Sequence, residues 1–195
     1  MAGHARALAD RLGLRRPVLV GDGMGAAVGL EAAVTDPGWP AGLVLCGRVG
    51  ARGQVADEAI EQVRRVASGK ARREFDASGY GPDTAQDVYQ RAFMEWLKTD
   101  PRALLGDRRG EAAWSVEDRL DRVTCPVLIV VGAHQDEDST AAARALADRL
   151  ASARVATLEG AARHGVQERP DAVAKLIATF LTEIPAEAVD SAFPT

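Results

Sequence analysis

The sequence predicts an α/β fold in which a mostly parallel sheet of about four strands is covered by helices. Short apolar runs alternate with helical segments along most of the 195 residues, and this alternation is typical of a parallel sheet with helices on both faces. Residues 50–120 interrupt the alternation because they contain no strand-like run. We therefore expect a core formed by residues 1–49 and 121–184, a helical insertion at 50–120, and a loosely held tail at 185–195.

The strands are predicted by four short apolar runs. They lie at residues 18–20, 42–46, 126–131 and 154–158. A continuous apolar run such as Val18–Val20 is typical of a strand that is buried on both faces. The same pattern predicts that the second strand, ending at Cys46, is also buried.

The helices are predicted by apolar residues at helical spacing. They cover residues 4–12, 24–34, 140–150 and 170–181. Gly13 follows the first helix as a C-cap, and Pro170 occupies the first turn of the last one. Helices of this length between the strands indicate that the strands pair in parallel.

The insertion carries an apolar and aromatic helical face. Val88, Ala92 and Trp96 fall on one side of a predicted helix, with Phe93 beside them. One interpretation is that this face packs inside the insertion itself. The other is that Phe93 and Trp96 form the roof of a pocket for a small molecule.

Composition excludes several classes of protein. The net charge is −4 with both signs mixed, so there is no basic surface for nucleic acid. No apolar run approaches the ~20 residues that span a bilayer, and the N-terminus lacks the apolar stretch of a signal peptide. Cys46 and Cys125 each adjoin a strand-like run, so we expect two buried thiols and a cytoplasmic location.

The segment "PVLVGDGMGAAVG", residues 17–29, reads as a strand, a tight turn and a helix. Gly21, Gly23 and Ala26 match the dinucleotide-binding pattern G-x-G-x-x-A. That site needs an acid about 20 residues further on, and the next strand is followed by Arg48 instead. Arg48 could hold a 2′-phosphate, which leaves NADP open, but an isolated motif is a weak signal. We expect no cofactor and no metal.

Three segments resemble the α/β-hydrolase superfamily. "LADRLGLRRPVLVGDGMGAAVGLEAA" is similar to its helix, strand, nucleophile elbow and helix. "VTCPVLIVVGAHQDEDSTAAARALADRL" and "ARVATLEGAARHGVQERPDAVAKLIATFL" resemble the segments that carry its acid and its histidine. The insertion falls where the family has a helical cap. The resemblance implies a partial α/β-hydrolase fold, truncated at the N-terminus, because the family's first half-sheet has no counterpart in this sequence. Three explanations stay open: the protein is naturally short, the sequence is a fragment, or another chain supplies the missing half.

The resemblance also implies that the catalytic triad is degenerate. The nucleophile falls on Gly23, the acid on Gln135 and the histidine on Arg163, and none of these can perform its role. One oxyanion donor, the backbone N–H of Met24, is retained. A similar residue stands one position from each missing group. These neighbours are Asp22, Asp136 and His164.

The sequence therefore predicts a protein of this superfamily without the hydrolytic triad. The favoured function is a non-hydrolytic cyclase, isomerase or lyase that acts on a small apolar metabolite of bacterial specialised metabolism. A non-catalytic ligand-binding or partner protein is one alternative, and a hydrolase with a relocated triad is another. The candidate catalytic residues are Asp22, His164 and Asp136. The candidate ligand-binding residues are Gly23, Met24, Arg163, Gln135, Trp96 and Phe93.

The resemblance has a consequence for assembly. In the family, the strand before the elbow has neighbours on both sides, but Val18–Val20 has them on one side only. An uncovered apolar strand edge invites pairing with another chain. We expect a homodimer, or binding to a partner chain, through Val18–Val20.

Overall fold

The computed structural model describes residues 1–185, so the predicted tail lies outside the described residues except for Pro185. The strands are β1 (Val18–Asp22), β2 (Gly42–Cys46), β3 (Val127–Gly132) and β4 (Ala153–Leu158). The helices are α1 (Ala2–Arg11), α2 (Met24–Thr35), α3 (Asp57–Ala67), α4 (Gln86–Lys98), α5 (Pro101–Ala112), α6 (Glu137–Arg149), α7 (Gly165–Glu168) and α8 (Pro170–Glu183). A 3-10 turn spans Leu120–Arg122.

The four strands form one parallel sheet in the order β1-β2-β3-β4. Asp22 pairs with Cys46, and Cys46 pairs with Val130, so the strands end near one another along the same edge of the sheet. Parallel strands present functional residues at their carboxyl ends. The predicted α/β fold, with a four-stranded parallel sheet and flanking helices, is confirmed.

Buried side chains cover both faces of the central strands. Leu43 and Leu45 point to the cluster that contains Leu30 of α2 and Leu146 of α6. Val44 lies on the opposite face, in the cluster that contains Phe180 of α8. Alternation along a strand places successive residues on opposite faces, and both faces are covered here. This explains why β2 is a continuous apolar run.

The prediction that the first strand is buried on both faces is wrong for β1. Leu19 packs against the α2 side of the core and Val18 against the α8 side, but Val20 is 54% exposed. Within residues 1–185, β1 is hydrogen-bonded to β2 alone and forms an edge of the sheet. The sequence pattern records which residues are apolar, but it does not record which strand has a neighbour.

Residues 50–120 contain α3, α4 and α5. The two ends of this stretch meet at an isolated antiparallel bridge between Arg52 and Ser115, where Val116 N–H donates to Ala51 O at 2.8 Å. The stretch therefore leaves the sheet after β2 and returns before β3 at nearly the same place. Among the described residues, no helix combines the length and the apolar character that crossing a membrane requires.

Candidate functional site

The turn between β1 and α2 has the conformation of a nucleophile elbow. Gly23 has φ 54° and ψ −114°, and α2 begins at Met24. Gly23 N–H donates to Cys46 O at 3.0 Å, which fixes the turn against β2. A positive φ with this ψ is strained for a residue with a side chain, so glycine relieves the strain that such a turn normally stores. A Cβ at Gly23 would meet open space.

Gly21 allows β1 and α2 to approach each other closely. A Cβ at this position would lie 2.3 Å from the carbonyl carbon and oxygen of Gly25. No side chain fits at that distance, so the backbone contact requires glycine at position 21.

Asp22 lies beside the elbow, at the end of β1. A Cβ added to Gly47 would be 2.8 Å from Asp22 Oδ1 and 2.9 Å from Arg163 O, so the carboxyl faces the turn after β4. Solvent reaches the residue, but the surrounding protein displaces much of the water from the carboxyl. This burial raises the pKa of Asp22 to about 6, against the opposing hydrogen bond from Gly23 N–H.

Cys46 is paired with Asp22 across the two strands. Its burial, assisted by the charge of Asp22, raises the pKa of the thiol to about 12. A thiol that does not ionise near neutral pH is a poor nucleophile. Cys46 and Cys125 are both buried and free.

Gln135 and Asp136 follow β3. The Asp136 carboxylate caps α6 by accepting the N–H of Ser139 at 2.8 Å. Burial disfavours the charged form of Asp136, but the hydrogen bonds from Ser139 outweigh that effect and lower its pKa. Gln135 is only 9% exposed, and within residues 1–185 neither polar atom of its amide has a hydrogen-bond partner.

Arg163 and His164 lie in the turn after β4. The His164 ring stacks on Tyr80 of the insertion, with ring centroids 4.4 Å apart. Burial, followed by the charge of Arg163, lowers the pKa of His164 below its usual 6.5. The Arg163 guanidinium forms an ion pair with Asp76 at 3.3 Å.

A wide groove of about 800 Å³ separates α4 from the turn after β4. Its aromatic walls are Phe75, Tyr80 and Trp96, and Arg163 and His164 lie at its edge. The structure therefore brings Trp96, Arg163 and His164 together in one cavity. The remaining predicted residues lie outside its lining: they are Asp22, Gly23, Met24, Phe93, Gln135 and Asp136.

Two smaller cavities adjoin the elbow. One of about 210 Å³ is lined by Met24, Val28 and Trp114, together with residues of α5. The other borders Gly23 and Arg48 and measures about 10 Å³, which is room for about one water molecule. None of residues 21–25 lines the large groove, so the groove does not extend to the elbow.

Asp22, His164 and Asp136 are not joined by hydrogen bonds within residues 1–185, since Asp136 is engaged with Ser139 and His164 is stacked on Tyr80. The charges that shift the pKa of His164 are those of Arg163, Glu168 and Asp76. Across the same range, no group of three or more His, Cys, Asp or Glu side chains is arranged to hold a metal ion.

Sequence reasoning missed Glu168. Its side chain is only 5% exposed and accepts hydrogen bonds from the insertion and from the turn that carries His164. Its neighbours in sequence, Gln167 and Arg169, are polar, so no apolar pattern marks the position as buried.

A parallel sheet, a glycine-flanked elbow between a strand and a helix, and a helical insertion beside the carboxyl ends of the strands define a protein of the α/β-hydrolase fold. The chain belongs to the alpha/beta hydrolase family, which it matches over residues 2–176. No curated protein matches it.

Solved structures agree with this fold. A thermophilic esterase from Thermogutta terrifontis has a TM-score of 0.78 and 26% identity, and the match covers 94% of this chain and 71% of the esterase. The enol-lactonase from Burkholderia xenovorans LB400 has a TM-score of 0.74 and 21% identity over 93% of this chain and 71% of that one. An esterase from Exiguobacterium antarcticum has a TM-score of 0.79 and 14% identity, covering 93% and 72%. The two less identical structures establish the fold alone.

Proposed function

We propose that this protein is a non-hydrolytic enzyme, an isomerase, cyclase or lyase, that moves a proton on a small and largely apolar ligand bound in the groove. The observation that carries the proposal is the position of His164, which lines a cavity of about 800 Å³ and has a lowered pKa. A histidine that is neutral at neutral pH can accept a proton from a bound ligand.

The absence of hydrolysis is proposed from the elbow and its surroundings. Gly23 offers no nucleophile, and Arg163 and Gln135 occupy the positions where the family resemblance implies the histidine and the acid. A guanidinium remains protonated and an amide does not ionise, so neither can activate a hydroxyl. The degenerate triad therefore favours chemistry in which the protein transfers protons and forms no acyl intermediate.

The proposed reaction uses two neighbouring residues. His164 removes a proton from a carbon next to a ligand carbonyl. The electron pair of the broken C–H bond forms a C=C bond to the carbonyl carbon, and the π pair of the C=O bond moves onto the oxygen. The Arg163 guanidinium stabilises the negative oxygen that results. Return of the proton from His164 to another carbon of the ligand re-forms the carbonyl and gives an isomer. Alternatively, the carbonyl re-forms as the bond from the β carbon to a leaving group breaks, and His164 gives its proton to that group, which yields an unsaturated lyase product.

The ligand class is proposed from the walls of the groove. Phe75 and Trp96 lie in edge-to-face contact with centroids 5.8 Å apart, and Arg73 covers the Trp96 ring at 4.2 Å. These rings suit a flat apolar or aromatic body, and Arg163 suits an anionic oxygen at the His164 end. The volume lies in the range of ordinary small-molecule sites.

The roles of five other predicted residues have weaker support in this proposal. They are Asp22, Asp136, Gln135, Gly23 and Met24. They lie outside the groove lining, so a direct role for them requires the groove to extend toward the elbow when ligand binds. Asp22 is the strongest of the five because its raised pKa would allow it to exchange a proton close to neutral pH.

A ligand-binding protein without catalysis is the second candidate. It is favoured by one observation: the Asp136 carboxylate is engaged as the cap of α6, so it does not orient His164. Association through the Val18–Val20 edge is compatible with either function.

The experiment is deuterium exchange in D2O with small enolisable aryl ketones and aryl 2-oxo acids, phenylpyruvate among them, followed by proton NMR. We expect exchange at least tenfold above the buffer rate for one or more of these probes, and its loss in His164→Ala. Exchange at the buffer rate for every probe, together with binding of a probe, would favour the ligand-binding protein. Undiminished exchange in His164→Ala would remove His164 from the mechanism.

A further inference from the structure

A single buried carboxylate joins the insertion to the turn that carries His164. Glu168 Oε2 accepts the N–H of Gly81 and the hydroxyl of Thr84, both at 2.7 Å. Glu168 Oε1 accepts the N–H of Ala162 at 3.0 Å. A buried carboxylate is tolerated only when it is well hydrogen-bonded. Here Ala162 lies 6 residues before Glu168 in sequence, while Thr84 and Gly81 lie 84 and 87 residues before it.

We propose that Glu168 is a positioning residue, which holds the loop of residues 79–84 against the turn of residues 161–164 and thereby fixes His164 and Arg163 in the groove. The importance of His164 rests on the proposed function, but the contact itself does not.

The loop of residues 79–84 shapes the surroundings of both side chains. A Cβ at Gly79 would lie 2.5 Å from Arg163 Nη2 and 2.8 Å from His164 Nε2, so the loop backbone touches both groups. The next residue, Tyr80, stacks on His164 and donates its hydroxyl to Gln167 Oε1 at 3.0 Å. Displacement of this loop would expose the imidazole to water.

The loop lacks regular secondary structure before α4 begins at Gln86. Its own backbone hydrogen bonds include Tyr80 N–H to Ala77 O and Thr84 N–H to Gly81 O, both at 3.2 Å. These are local turns, and they do not attach the loop to the sheet. Charge-assisted hydrogen bonds to a carboxylate are stronger than neutral ones, so Glu168 is the principal polar attachment of the loop to the core.

Glu168→Gln tests the proposal because an amide can accept with its oxygen only. Its NH2 group must face either Ala162 N–H or the donors of Gly81 and Thr84, so one side of the attachment is lost. If the loop then separates from His164, the ring is hydrated and its pKa rises toward 6.5, since burial is the main cause of its lowered value. If the loop stays in place, only the negative charge is lost, and the pKa of His164 falls further.

The measurement is a pH titration of the His164 Cε1 proton by NMR on the full chain, with the signal assigned from His164→Ala. Arg163, Asp76 and Glu168 are the charged groups near the ring, together with the Tyr80 phenol. We expect the pKa of His164 to shift upward in Glu168→Gln, and a downward shift or no shift would overturn the proposal. His4 and His134 act as internal references, and Glu159→Gln, an exposed carboxylate nearby, is the matched control.

Thr84→Val provides a second test of the proposal in case Glu168→Gln does not fold. It removes one donor from the insertion side and preserves the carboxylate and its charge. We expect a smaller upward shift for His164 in this variant, and an unchanged titration in a folded Thr84→Val protein would also overturn the proposal. Neither readout uses a substrate, so failure of the proposed proton transfer would leave the result for Glu168 intact.

Discussion

The imidazole of His164 and the phenol of Tyr80 lie 4.4 Å apart between ring centroids, with their planes inclined by 30°. The two residues belong to different parts of the chain, since Tyr80 lies in the insertion and His164 follows β4. Their contact closes one end of the groove and keeps water from one face of the imidazole. The insertion therefore contributes directly to the protonation state of His164.

The first prediction concerns pH. Because the pKa of His164 is lowered below 6.5, its neutral form persists as the pH falls through 6.5 and is lost only at the lower pKa. The proton exchange proposed for the groove should therefore reach a plateau toward neutral pH and decline in acid with a midpoint below 6.5. Exchange rates of the responsive probe between pH 4.5 and 8 test this expectation.

The matched control for that profile is His134→Ala, which alters an exposed histidine outside the groove. It should reproduce the wild-type profile. A midpoint above 6.5, or a profile that persists in His164→Ala, would assign the titration to another group.

The second prediction concerns Asp22. Its pKa is about 6 in the folded protein, against 3.8 as the ordinary value, so the folded state holds the proton more tightly than the unfolded state does. The stabilisation is complete below pH 3.8 and is lost as the pH rises through about 6. Asp22→Asn removes the ionisation, so its stability relative to wild type should increase between pH 4 and 8.

Solvent reaches Asp22, so the effect is limited to about 1 kcal/mol, which is a few degrees in Tm for a chain of this length. Thermal unfolding by circular dichroism at pH 4.5 and pH 8 measures it. Asp83→Asn, an exposed aspartate in the insertion, should show no comparable trend. A difference between Asp22→Asn and wild type that is the same at both pH values would contradict the prediction.

The buried central strands could be predicted from the sequence, but the exposed edge strand β1 could not. A continuous apolar run predicts β2 at 42–46, where the structure has it, because both faces of that strand are covered. The same reasoning fails for Val20, which is exposed. Exposure depends on the neighbours of a strand, and neighbours are set by the order of the whole sheet.

Part of the candidate site could likewise be predicted from the sequence, and part could not. Arg163 and His164 could be predicted as a pair because they adjoin in sequence and follow a strand. The contacts of His164 with Tyr80, and of Glu168 with Gly81 and Thr84, join residues far apart in the chain. No local pattern encodes contacts of that range. The short helix α7 has too few residues to display a periodic pattern.

The third prediction is that alanine substitutions at two glycines of the elbow, Gly21 and Gly25, change the stability in opposite directions. Gly21→Ala would place a Cβ 2.3 Å from the backbone of Gly25, and a backbone cannot yield as a side chain can. We expect a loss of about 3 kcal/mol or more. Gly25→Ala puts a Cβ in open space on α2, and alanine is the better helix former by about 1 kcal/mol. Urea unfolding of both variants should therefore give changes of opposite sign, and equal losses would refute the proposed contact.

The fourth prediction concerns the absent nucleophile. A serine at position 23 has room for its side chain, although its positive φ costs about 1–3 kcal/mol. Gly23→Ser should fold with reduced stability, but it should not gain esterase activity, because Arg163 and Gln135 cannot activate a hydroxyl. The measurements are p-nitrophenyl acetate turnover and fluorophosphonate labelling followed by mass spectrometry, with Gly23→Ala as the control. Specific labelling of Ser at this position, or labelling of the wild-type groove, would show that the protein activates a nucleophile there and would contradict the prediction.

The fifth prediction concerns assembly through β1. Within residues 1–185 this strand pairs on one side only, and Val20 is 54% exposed on it. Exposed strand edges with apolar side chains favour association, and a lysine on such an edge opposes it. We expect light scattering at micromolar concentration to give twice the 20.6 kDa mass of the chain, through an interface of about 1,600 Å². Val20→Lys should shift the population to the monomer, while Leu97→Lys, which alters a side chain 50% exposed on α4, should leave the mass unchanged. A monomeric wild-type protein, or dissociation caused equally by both variants, would place any association elsewhere on the molecule.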